Sequence, residues 1–591
     1  GYGRTFTAMR EAVLAIDTTR PILSDTDPSA SDFVERSYRA LEGKHIVDKY
    51  LKISDKSQKP FIQREYAHAM GNSLGNFQEH WDKIYAHDNY VGGAIWDWVD
   101  QGLARVKNTA MVSYSKDPTK LSLNPKREVW SYGGDFGDSP TDAEFLLNGI
   151  VSSDRKPFPS YYEAKKVQQN VLFAKTDDPL TIKVSNRFDF TNLSAYDFVW
   201  QVKSQEKGQS KVIATGKLSL SLAPGSSTLV KVPFTYNGND SANELILELS
   251  AHTKQDTVWA NKGFDIAFEQ FVLAAYQYPV SVASKGKKVK VSQADDAINI
   301  ATNNALLSID NVTGELTSYI VAGQELLIEP LAPYFWKPVN NNQARSKFVV
   351  RMAPWLNAAA HRQVSSVKVN QLNDNLVEVK VTARLIANHA LYELTYRING
   401  EGSIQVAADY TPDAKRIQHK FMPKFGMKMV LDQSLSQIDW YGRGPFENYP
   451  DRKTAAKIGN YQKTLDGFQV PYVSATDSTN RGDVREASFA NKKVKLSVLG
   501  MQPFNLRAWP YNESDLYSFN TLKTKNLITD QIRRKHYYDL PDRGYINVNL
   551  DSAIHGVGGD DSWGGETMKK YHIRADIPHR FSFVLKAEIN N

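Results

Sequence analysis

A carboxylate and an imidazole stand three residues apart in the stretch KPFIQREYAHAMGNSLGNF, residues 59–77. The apolar pair Phe61 and Ile62 predicts a short buried strand, and the Gly-, Asn- and Ser-rich run after His68 predicts a loop. Glu65 therefore falls where a strand ends. A carboxylate at the C-terminal end of a barrel strand points into the mouth of the barrel, where such folds carry out their chemistry.

Hydrolysis of a glycosidic bond with retention of configuration needs two carboxyl groups about 5–5.5 Å apart. One attacks the anomeric carbon, and the other donates a proton to the leaving group and later accepts one from water. The position of Glu65 suits one of these roles. The alternatives are a salt-bridge role for Glu65 and a purely structural role for His68. Because neighbouring side chains on a strand point to opposite faces, we expect no direct contact between Arg64 and Glu65.

The N-terminal segment alternates between helical and extended patterns. Helical spacing of apolar residues predicts helices, and short apolar runs predict strands. The predicted helices cover 4–17, 44–53 and 75–87, and the predicted strands cover 20–25, 31–38, 59–66 and 91–100. Four strands in such an alternation make half of a (β/α)8 barrel, which needs about 250 residues. Either residues 1–171 form an open sheet, or the first half of the barrel is missing from this chain.

Short alternating strands separated by turn residues follow, and residues 172–280 fit an immunoglobulin-like β-sandwich. After a joint rich in lysine, glycine and serine, residues 281–591 show strand after strand, with turn pairs such as Asn399-Gly400. This pattern predicts a large antiparallel β-sandwich domain. The expected fold class is therefore multidomain, α/β plus all-β.

Composition narrows the function classes. The 591 residues suggest about three domains. The net charge of +7 is small for this length and argues against a nucleic-acid partner. Since no window holds about 18 uninterrupted apolar residues, we expect no membrane partner. The chain has no cysteine, which excludes disulfides, thiolate nucleophiles and cysteine-bound zinc. The absence of thiols favours the periplasm slightly over the cytoplasm and leaves the compartment open.

Two motifs carry a resemblance to a known family. EYAHAMGNSLGNF (65–77) and GGAIWDWVDQGL (92–103) together resemble the glycoside hydrolase family 2 β-galactosidases of the large bacterial type. The resemblance spans most of the chain and continues through residues 132–169, 440–455, 471–486 and 556–563. It implies a retaining exo-β-galactosidase that hydrolyses terminal β-D-galactosyl residues of β-galactosides by double displacement. Glu65 matches the nucleophile, and Tyr38 matches a tyrosine that hydrogen-bonds the nucleophile.

The resemblance also assigns side chains to the sugar and to a cation. His68 matches a histidine that contacts sugar hydroxyls, Trp96 a tryptophan of the sugar-binding wall, and Trp563 an aromatic on which the leaving sugar stacks. Phe145, through its carbonyl, and Asn148, through its side-chain oxygen, match ligands of Na⁺ or K⁺. That cation helps to hold the 6-hydroxyl of the sugar, so Asn148 is expected to serve substrate and metal alike.

The chain departs from the family in places. Asp477 stands where a Glu-Asn-Gly turn is common, and WKPVNNN (336–342) replaces a more acidic segment. In the resemblance, the acid/base glutamate would sit two positions before Gly1, and the Mg²⁺ ligands would also lie upstream. We therefore expect a C-terminal portion that needs the missing N-terminal portion or a companion subunit for catalysis. The family pattern further implies a homo-oligomer.

Two alternatives stay open. One is another family 2 glycosidase, such as a β-glucuronidase, a β-mannosidase or a galactosidase specific for one glycan. A glucuronidase needs a cationic group for the sugar carboxylate, and the sequence does not mark one clearly. The other alternative is a non-catalytic carbohydrate-binding fragment. The presence of Glu65, His68 and Trp96 argues against it.

Overall fold

The structure is a computed structural model of the chain. It describes residues 3–25, 27–43, 46–113, 123–124, 126–206, 209–235, 243–522, 527–534 and 536–590, without the side chains of 206, 517–522 and 527–534. Gly1 and Tyr2 therefore lie outside the described residues. Among those described, no helix is both long enough and apolar enough to cross a membrane.

Helices are few in the described residues, and strands dominate. The α-helices are α1 Arg4–Leu14, α2 Val47–Ser57, α3 Phe77–Tyr85, α4 Pro159–Val167, α5 Asn341–Arg345, α6 Phe348–Leu356 and α7 Leu465–Phe468. The strands of the N-terminal α/β segment are β1 Val34–Glu35, β2 Phe61–Tyr66, β3 Tyr90–Ile95, β4 Leu103–Val106 and β5 Glu128–Ser131.

The first three strands form one parallel sheet in the order β1-β2-β3. Val34 lies opposite Phe61, and Phe61 lies opposite Tyr90. Because the strands are parallel, their C-terminal ends meet at the same edge, where the loops after each strand converge. Helices α2 and α3 connect them, and α3 buries Phe77 and Ile84 on the inner side.

The predicted strand over residues 20–25 is wrong, and the strand predicted over 31–38 shortens to β1. Pro21 has no N–H to offer a neighbouring strand. The N–H of Ile22 instead donates to the Asp32 carboxylate at 2.7 Å. A side chain has thus taken the place of a strand partner, and the described sheet has three parallel strands rather than four.

A β-sandwich follows the α/β segment. Its strands are β6 Val171–Lys175, β7 Thr181–Asn186, β8 Tyr196–Glu206, β9 Gln209–Leu218, β10 Ser227–Lys231, β11 Leu245–Thr253 and β12 Asp265–Ala274. They form two antiparallel sheets, β10-β7-β6 and β12-β11-β8-β9. Apolar residues alternate inward, and Phe198, Trp200 and Leu247 lie in the shared core.

The remaining strands build a large antiparallel β domain. They are β13 Lys290–Gln293, β14 Ala297–Ala301, β15 Ala305–Asp310, β16 Leu316–Val321, β17 Gln324–Glu325, β18 Leu327–Tyr334, β19 Gln363–Asn373, β20 Leu376–Arg384, β21 Leu391–Asn399, β22 Ile404–Thr411, β23 Phe421–Met422, β24 Lys424–Asp432, β25 Gln437–Gly444, β26 Lys457–Thr464, β27 Arg481–Ala490, β28 Val494–Trp509, β29 Tyr517–Leu522, β30 Leu527–Arg534, β31 Tyr545–Ile554, β32 Ile573–Arg574 and β33 His579–Ile589. Seventeen of the described strands join in one continuous sheet system, and they bury a large apolar cluster between them.

A chain of buried charges crosses this large domain. Asp477 pairs with Lys337 at 3.0 Å and with Arg507 at 2.9 Å. Arg507 also lies 3.4 Å from Asp551, which pairs with Lys424 at 2.8 Å. Burial lowers the pKa of Lys424 to about 8, yet each charge in the chain has an opposite neighbour, as buried ions require. Asp477 therefore points into the domain and not towards a sugar subsite.

The loop of residues 67–76, which follows β2, is held by the large domain. Its backbone and amide groups form the following bonds with that domain: Asn72 Nδ2 to Asp477 O (2.6 Å), Asn340 Nδ2 to Asn72 O (2.8 Å), Arg452 Nη1 to Ser73 O (2.5 Å), Gly75 N to Gly558 O (2.8 Å) and Asn76 N to Asp451 O (2.9 Å). Nearly every polar group of the loop is buried, so each bond replaces one to water.

Asp451 is the centre of this contact. Its carboxylate accepts bonds from the N–H groups of Val557 (2.9 Å) and Gly558 (2.8 Å) and from the hydroxyl of Thr567 (2.6 Å). A Cβ added to Gly75 would lie 2.2 Å from the same carboxylate. Only glycine therefore lets the loop approach this closely.

Gly75→Ala should lower the free energy of unfolding by about 1–3 kcal/mol, because the added methyl overlaps a carboxylate that three bonds hold in place. Urea denaturation of the full-length protein measures the change. Gly467→Ala is the matched control, since its Cβ would meet only the flexible Lys463 side chain and a Thr464 hydroxyl at 3.4 Å. Equal stability of the two variants would contradict the prediction.

Candidate active site

Glu65 lies at the C-terminal edge of the parallel sheet, as its sequence position predicts. Its carbonyl accepts a bond from the N–H of Tyr38 at 2.9 Å, and its own N–H donates to Ser37 Oγ at 3.2 Å. These bonds continue the alignment of β1 with β2 past the end of β1. The Glu65 side chain is 19% exposed, so the carboxylate is sheltered and still open to a ligand.

The expected separation of Arg64 from Glu65 is wrong. Arg64 Nη1 lies 2.5 Å from Glu65 Oε1, and Nη2 lies 3.2 Å from the Asp25 carboxylate. The register between β2 and β3 shifts at this point, because Gln63 and Glu65 face the consecutive residues Gly93 and Ala94. The preceding step, from Phe61 to Gln63, has the extra residue on β3 instead, so the pairing is irregular on both sides of Gln63 and the alternation of side chains is disturbed. Arg64 therefore reaches the same carboxylate that it was expected to avoid.

Tyr38 stands beside Glu65 in a left-handed backbone conformation, with φ of 52°. Burial raises the pKa of its hydroxyl, and a hydrogen bond to the Glu65 carboxylate raises it further. The hydroxyl therefore keeps its proton at neutral pH. The position agrees with the one that the sequence suggested for Tyr38.

His68 lies in the loop after β2 and contacts the large domain. Its Nδ1 is 2.8 Å from Ser562 Oγ. Burial lowers the pKa of the imidazole to about 4, the positive charge of Arg345 lowers it further, and Asp97 acts in the opposite direction. The ring is therefore neutral at physiological pH, and a neutral imidazole has one donor and one acceptor nitrogen.

Four rings meet here, three from the α/β segment and one from the large β domain, and we name Tyr38, His68, Phe145 and Trp563 the aromatic cluster. The ring centroid of Trp563 lies 4.7 Å from that of Tyr38, 5.5 Å from that of His68 and 6.3 Å from that of Phe145. Trp563 is 46% exposed. The backbone N–H of Trp563 donates to the Asp561 carboxylate at 3.0 Å, which fixes the turn. An exposed indole face beside a carboxylate suits a sugar ring.

Trp96 follows β3 and lies one strand away from Glu65. The backbone N–H of Trp96 donates to the Tyr66 carbonyl at 3.1 Å, and the Trp96 carbonyl accepts a bond from the backbone N–H of Ala69 at 2.8 Å. The ring is 38% exposed. The ring contacts found among the described residues do not include Trp96, so it stands at the same edge of the sheet without joining the aromatic cluster.

Phe145 and Asn148 lie close together, with the Asn148 amide group beside the Phe145 carbonyl. Asn148 Nδ2 donates to the Phe145 carbonyl at 3.1 Å. Asn148 is buried, and its Oδ1 has no hydrogen-bond partner among the described residues. A carbonyl oxygen keeps a second lone pair when one is used. An unpaired amide oxygen next to a peptide carbonyl is the hard-oxygen donor set that alkali cations take, so these residues fit such an ion.

The sequence analysis missed Ser562 and Arg345. Ser562 supports His68 from 494 positions away, and the Arg345 guanidinium lies 5.3 Å from the Phe145 ring centroid. Neither residue belongs to a local pattern that marks chemistry. The motif DDSW places a serine before Trp563, which was the one available signal.

The depressed pKa of His68 makes stability depend on pH. Between pH 6.5 and about 4 the unfolded chain binds a proton at this position that the folded chain does not bind. Stability is therefore lost as pH falls through this window, by up to about 1.4 kcal/mol per pH unit. Urea denaturation at several pH values in that range should show that the free energy of unfolding changes less steeply with pH in His68→Gln than in the wild-type protein. The exposed His361→Gln should keep the wild-type slope, and equal slopes for both variants would refute the assignment.

Three family models match consecutive parts of the chain. The model described as "Glycosyl hydrolases family 2, TIM barrel domain" matches residues 1–173, "Beta-galactosidase, domain 4" matches 182–274, and "Beta galactosidase small chain" matches 301–585. The order of the three along the chain agrees with the order of the α/β segment, the sandwich and the large domain.

Curated relatives match along nearly the whole chain. A β-galactosidase of Priestia megaterium is 31% identical over 91% of this chain and 48% of its own length. A β-galactosidase of Halalkalibacterium halodurans is 28% identical over 94% of this chain and 51% of its own. The chain thus spans about half the length of the curated relatives it matches.

Among solved structures, a galactose 1-epimerase from Lactobacillus acidophilus NCFM is 10% identical, over 52% of this chain and 100% of its own, with a TM-score of 0.32. That score is too low to support a conclusion. The family models and the curated relatives agree with each other, and they identify the chain as a member of glycoside hydrolase family 2, related over most of its length to β-galactosidases.

Proposed function

We propose that the chain carries the nucleophile and sugar-binding part of a retaining exo-β-galactosidase. The observation that carries the proposal is the sheltered Glu65 carboxylate at the C-terminal edge of a parallel sheet, bonded by Arg64 and bordered by Tyr38 and the rest of the aromatic cluster. The TIM barrel match and the β-galactosidase relatives support the same reaction class.

In the first step, a Glu65 oxygen attacks C1 of the galactosyl residue while the C1–O bond to the leaving group breaks. An acid/base carboxyl donates its proton to the departing oxygen. In the second step the same carboxylate takes a proton from water, the water oxygen attacks C1, and the ester to Glu65 is released. Two inversions leave the product with its original configuration. We place the acid/base glutamate in the polypeptide upstream of Gly1.

Tyr38 and Arg64 orient the nucleophile. Arg64 bonds Oε1 of Glu65, and the protonated Tyr38 hydroxyl would donate to the same carboxylate. Charge-assisted bonds of this kind fix a carboxylate and favour its ionised form. When Glu65 becomes an ester, its negative charge is lost and both bonds weaken, so the pair also favours release of the sugar in the second step.

The sugar would contact three side chains of the described site. His68 is neutral, and its Nε2 is available for a sugar hydroxyl because Nδ1 is used by Ser562. Trp563 and Trp96 present partly exposed indole faces. Aromatic faces and a few fixed polar groups are the usual means of holding an amphipathic ligand.

A monovalent cation, Na⁺ or K⁺, would be held by the Phe145 carbonyl and by Asn148 Oδ1. A cation bound there would supply a positive charge, and a hydroxyl oxygen of the sugar would coordinate it as a further ligand. The support is the buried Asn148 Oδ1, which lacks a hydrogen-bond partner among the described residues. We place the Mg²⁺ ligands upstream, with the acid/base glutamate.

The open side of the parallel sheet is where the remaining barrel polypeptide would pack. The edge strand β1 has two residues, and α1 buries none of its residues. Met9 and Val13 of α1 and Trp98 beyond β3 are exposed. A short edge strand with apolar surface around it needs a cover. That cover would be an N-terminal portion or a companion subunit.

In the protein that includes the upstream polypeptide, Glu65→Gln should reduce galactoside hydrolysis by several orders of magnitude without unfolding the protein, because the amide has the same shape and lacks the nucleophilic charge. The nucleophile itself is identified by trapping with a 2-fluorogalactosyl fluoride and peptide mapping. The label is expected on the peptide that contains Glu65. The exposed Glu42→Gln should retain activity and labelling, and a label on another carboxylate would refute the assignment.

Residues 1–591 expressed alone should not hydrolyse a nitrophenyl β-galactoside, because we place the acid/base carboxyl upstream. Addition of the upstream polypeptide, in the same chain or separately, should restore turnover. The measurement is the initial rate at matched protein concentration. Rapid hydrolysis by residues 1–591 alone would place both carboxyls in this chain and contradict the proposal.

A further inference from the structure

One arginine of the large β domain reaches the rim of the site. Arg345 ends α5, a short helix fixed at its start by a capping box at Asn340. Its guanidinium carbon lies 5.3 Å from the Phe145 ring centroid. Its carbonyl oxygen would lie 3.9 Å from a Cβ added to Gly564, the residue after Trp563. Arg345 therefore borders the aromatic cluster at Phe145, and its backbone passes close to the residue after Trp563.

The ion pair of Arg345 is exposed at one end only. Nη2 lies 3.3 Å from Oε1 of Glu144, whose side chain is 9% exposed, whereas the Arg345 side chain is 31% exposed. Asn341 also donates to the Glu144 carboxylate at 3.4 Å and holds it inward. The pair thus presents its positive end to the solvent and its negative end to the protein.

The Arg345 guanidinium has N–H donors that form no hydrogen bond within the described residues. It carries five N–H donors in a planar fork, and in the described part of the chain its one hydrogen bond is the contact with Glu144. Its charge also reaches the site, since it helps to lower the pKa of His68. A partly exposed cation with free donors beside a sugar site is an anion-binding group.

We propose that Arg345 binds a carboxylate or sulfate group on the leaving portion of a β-galactoside, so that the enzyme prefers anionic galactosides. The inference rests on the proposed function, because it takes a galactosyl residue to lie against Glu65. In an exo-acting pocket the terminal sugar fills the inner part, and the rest of the substrate passes the rim. Trp563 and Arg345, both partly exposed, form that rim.

Equilibrium binding of two thiogalactosides, which resist hydrolysis, tests the proposal on the full-length protein. Isopropyl β-D-thiogalactoside is neutral, and 2-carboxyethyl β-D-thiogalactoside carries a carboxylate on the leaving side. Calorimetry should show about tenfold tighter binding of the carboxylate ligand at low salt. That preference should shrink at about 0.5 M salt, where screening is strong. Equal affinities in the wild-type protein would overturn the inference.

Variants separate a direct contact from a structural effect. Arg345→Gln should lose the preference and keep the affinity for the neutral ligand, and Arg345→Lys should keep part of the preference. Arg351→Gln is the matched control, because Arg351 is a partly exposed arginine of α6 paired with Glu566; it should keep the full preference. A preference that persists in Arg345→Gln, or an equal loss of affinity for both ligands, would overturn the inference.

Failure of the proposed function has a different signature. A protein that binds neither thiogalactoside and hydrolyses no galactoside refutes the galactosidase assignment, and the inference falls with it. A protein that hydrolyses nitrophenyl β-galactoside but binds both thiogalactosides equally refutes the role of Arg345 alone.

Discussion

The carboxylate of Asp451 is the contact on which the candidate site depends. It binds the N–H groups of Val557 and Gly558 and the hydroxyl of Thr567, and its own carbonyl accepts from Asn76. Through its carboxylate and its backbone carbonyl, Asp451 thus joins the segment that leads to Trp563 to the loop after β2. Together with the bonds from His68 to Ser562 and from Gly75 to Gly558, this junction fixes the strand that carries Glu65 relative to the turn that carries Trp563.

The buried charges behind the junction explain why the large domain can act as a rigid support. Asp477 accepts from Lys337 and Arg507, while its backbone carbonyl accepts from Asn72 of the loop. Removal of one member would leave an uncompensated buried charge, which costs several kcal/mol. The segments that depart from the family pattern, 336–342 and the stretch around Asp477, therefore serve as the base of the site.

Local sequence patterns located the strand of Glu65 and the helices around it, because apolar spacing and turn residues act over short distances. These patterns did not predict contacts that depend on residues far apart in the sequence. The contact between Arg64 and Glu65 arises from a bulge that only the pairing with β3 reveals. The apolar residues after Pro21 predict a strand, but the Ile22 N–H donates to the Asp32 carboxylate and not to a neighbouring strand. Arg345 and Ser562 enter the site through packing of the large domain, which no local pattern encodes.

The bond between His68 and Ser562 spans 494 positions, which sets the order of events during synthesis. A ribosome adds about 5–20 residues per second, so His68 waits roughly half a minute or longer for its partner. During that interval the polar groups of the loop that later bond the large domain have only water as a partner, whereas Ala69 can already bond Trp96. Half of the residues in this loop are glycine, asparagine or serine. Such polar residues stay hydrated in a nascent chain and disfavour non-native hydrophobic contacts.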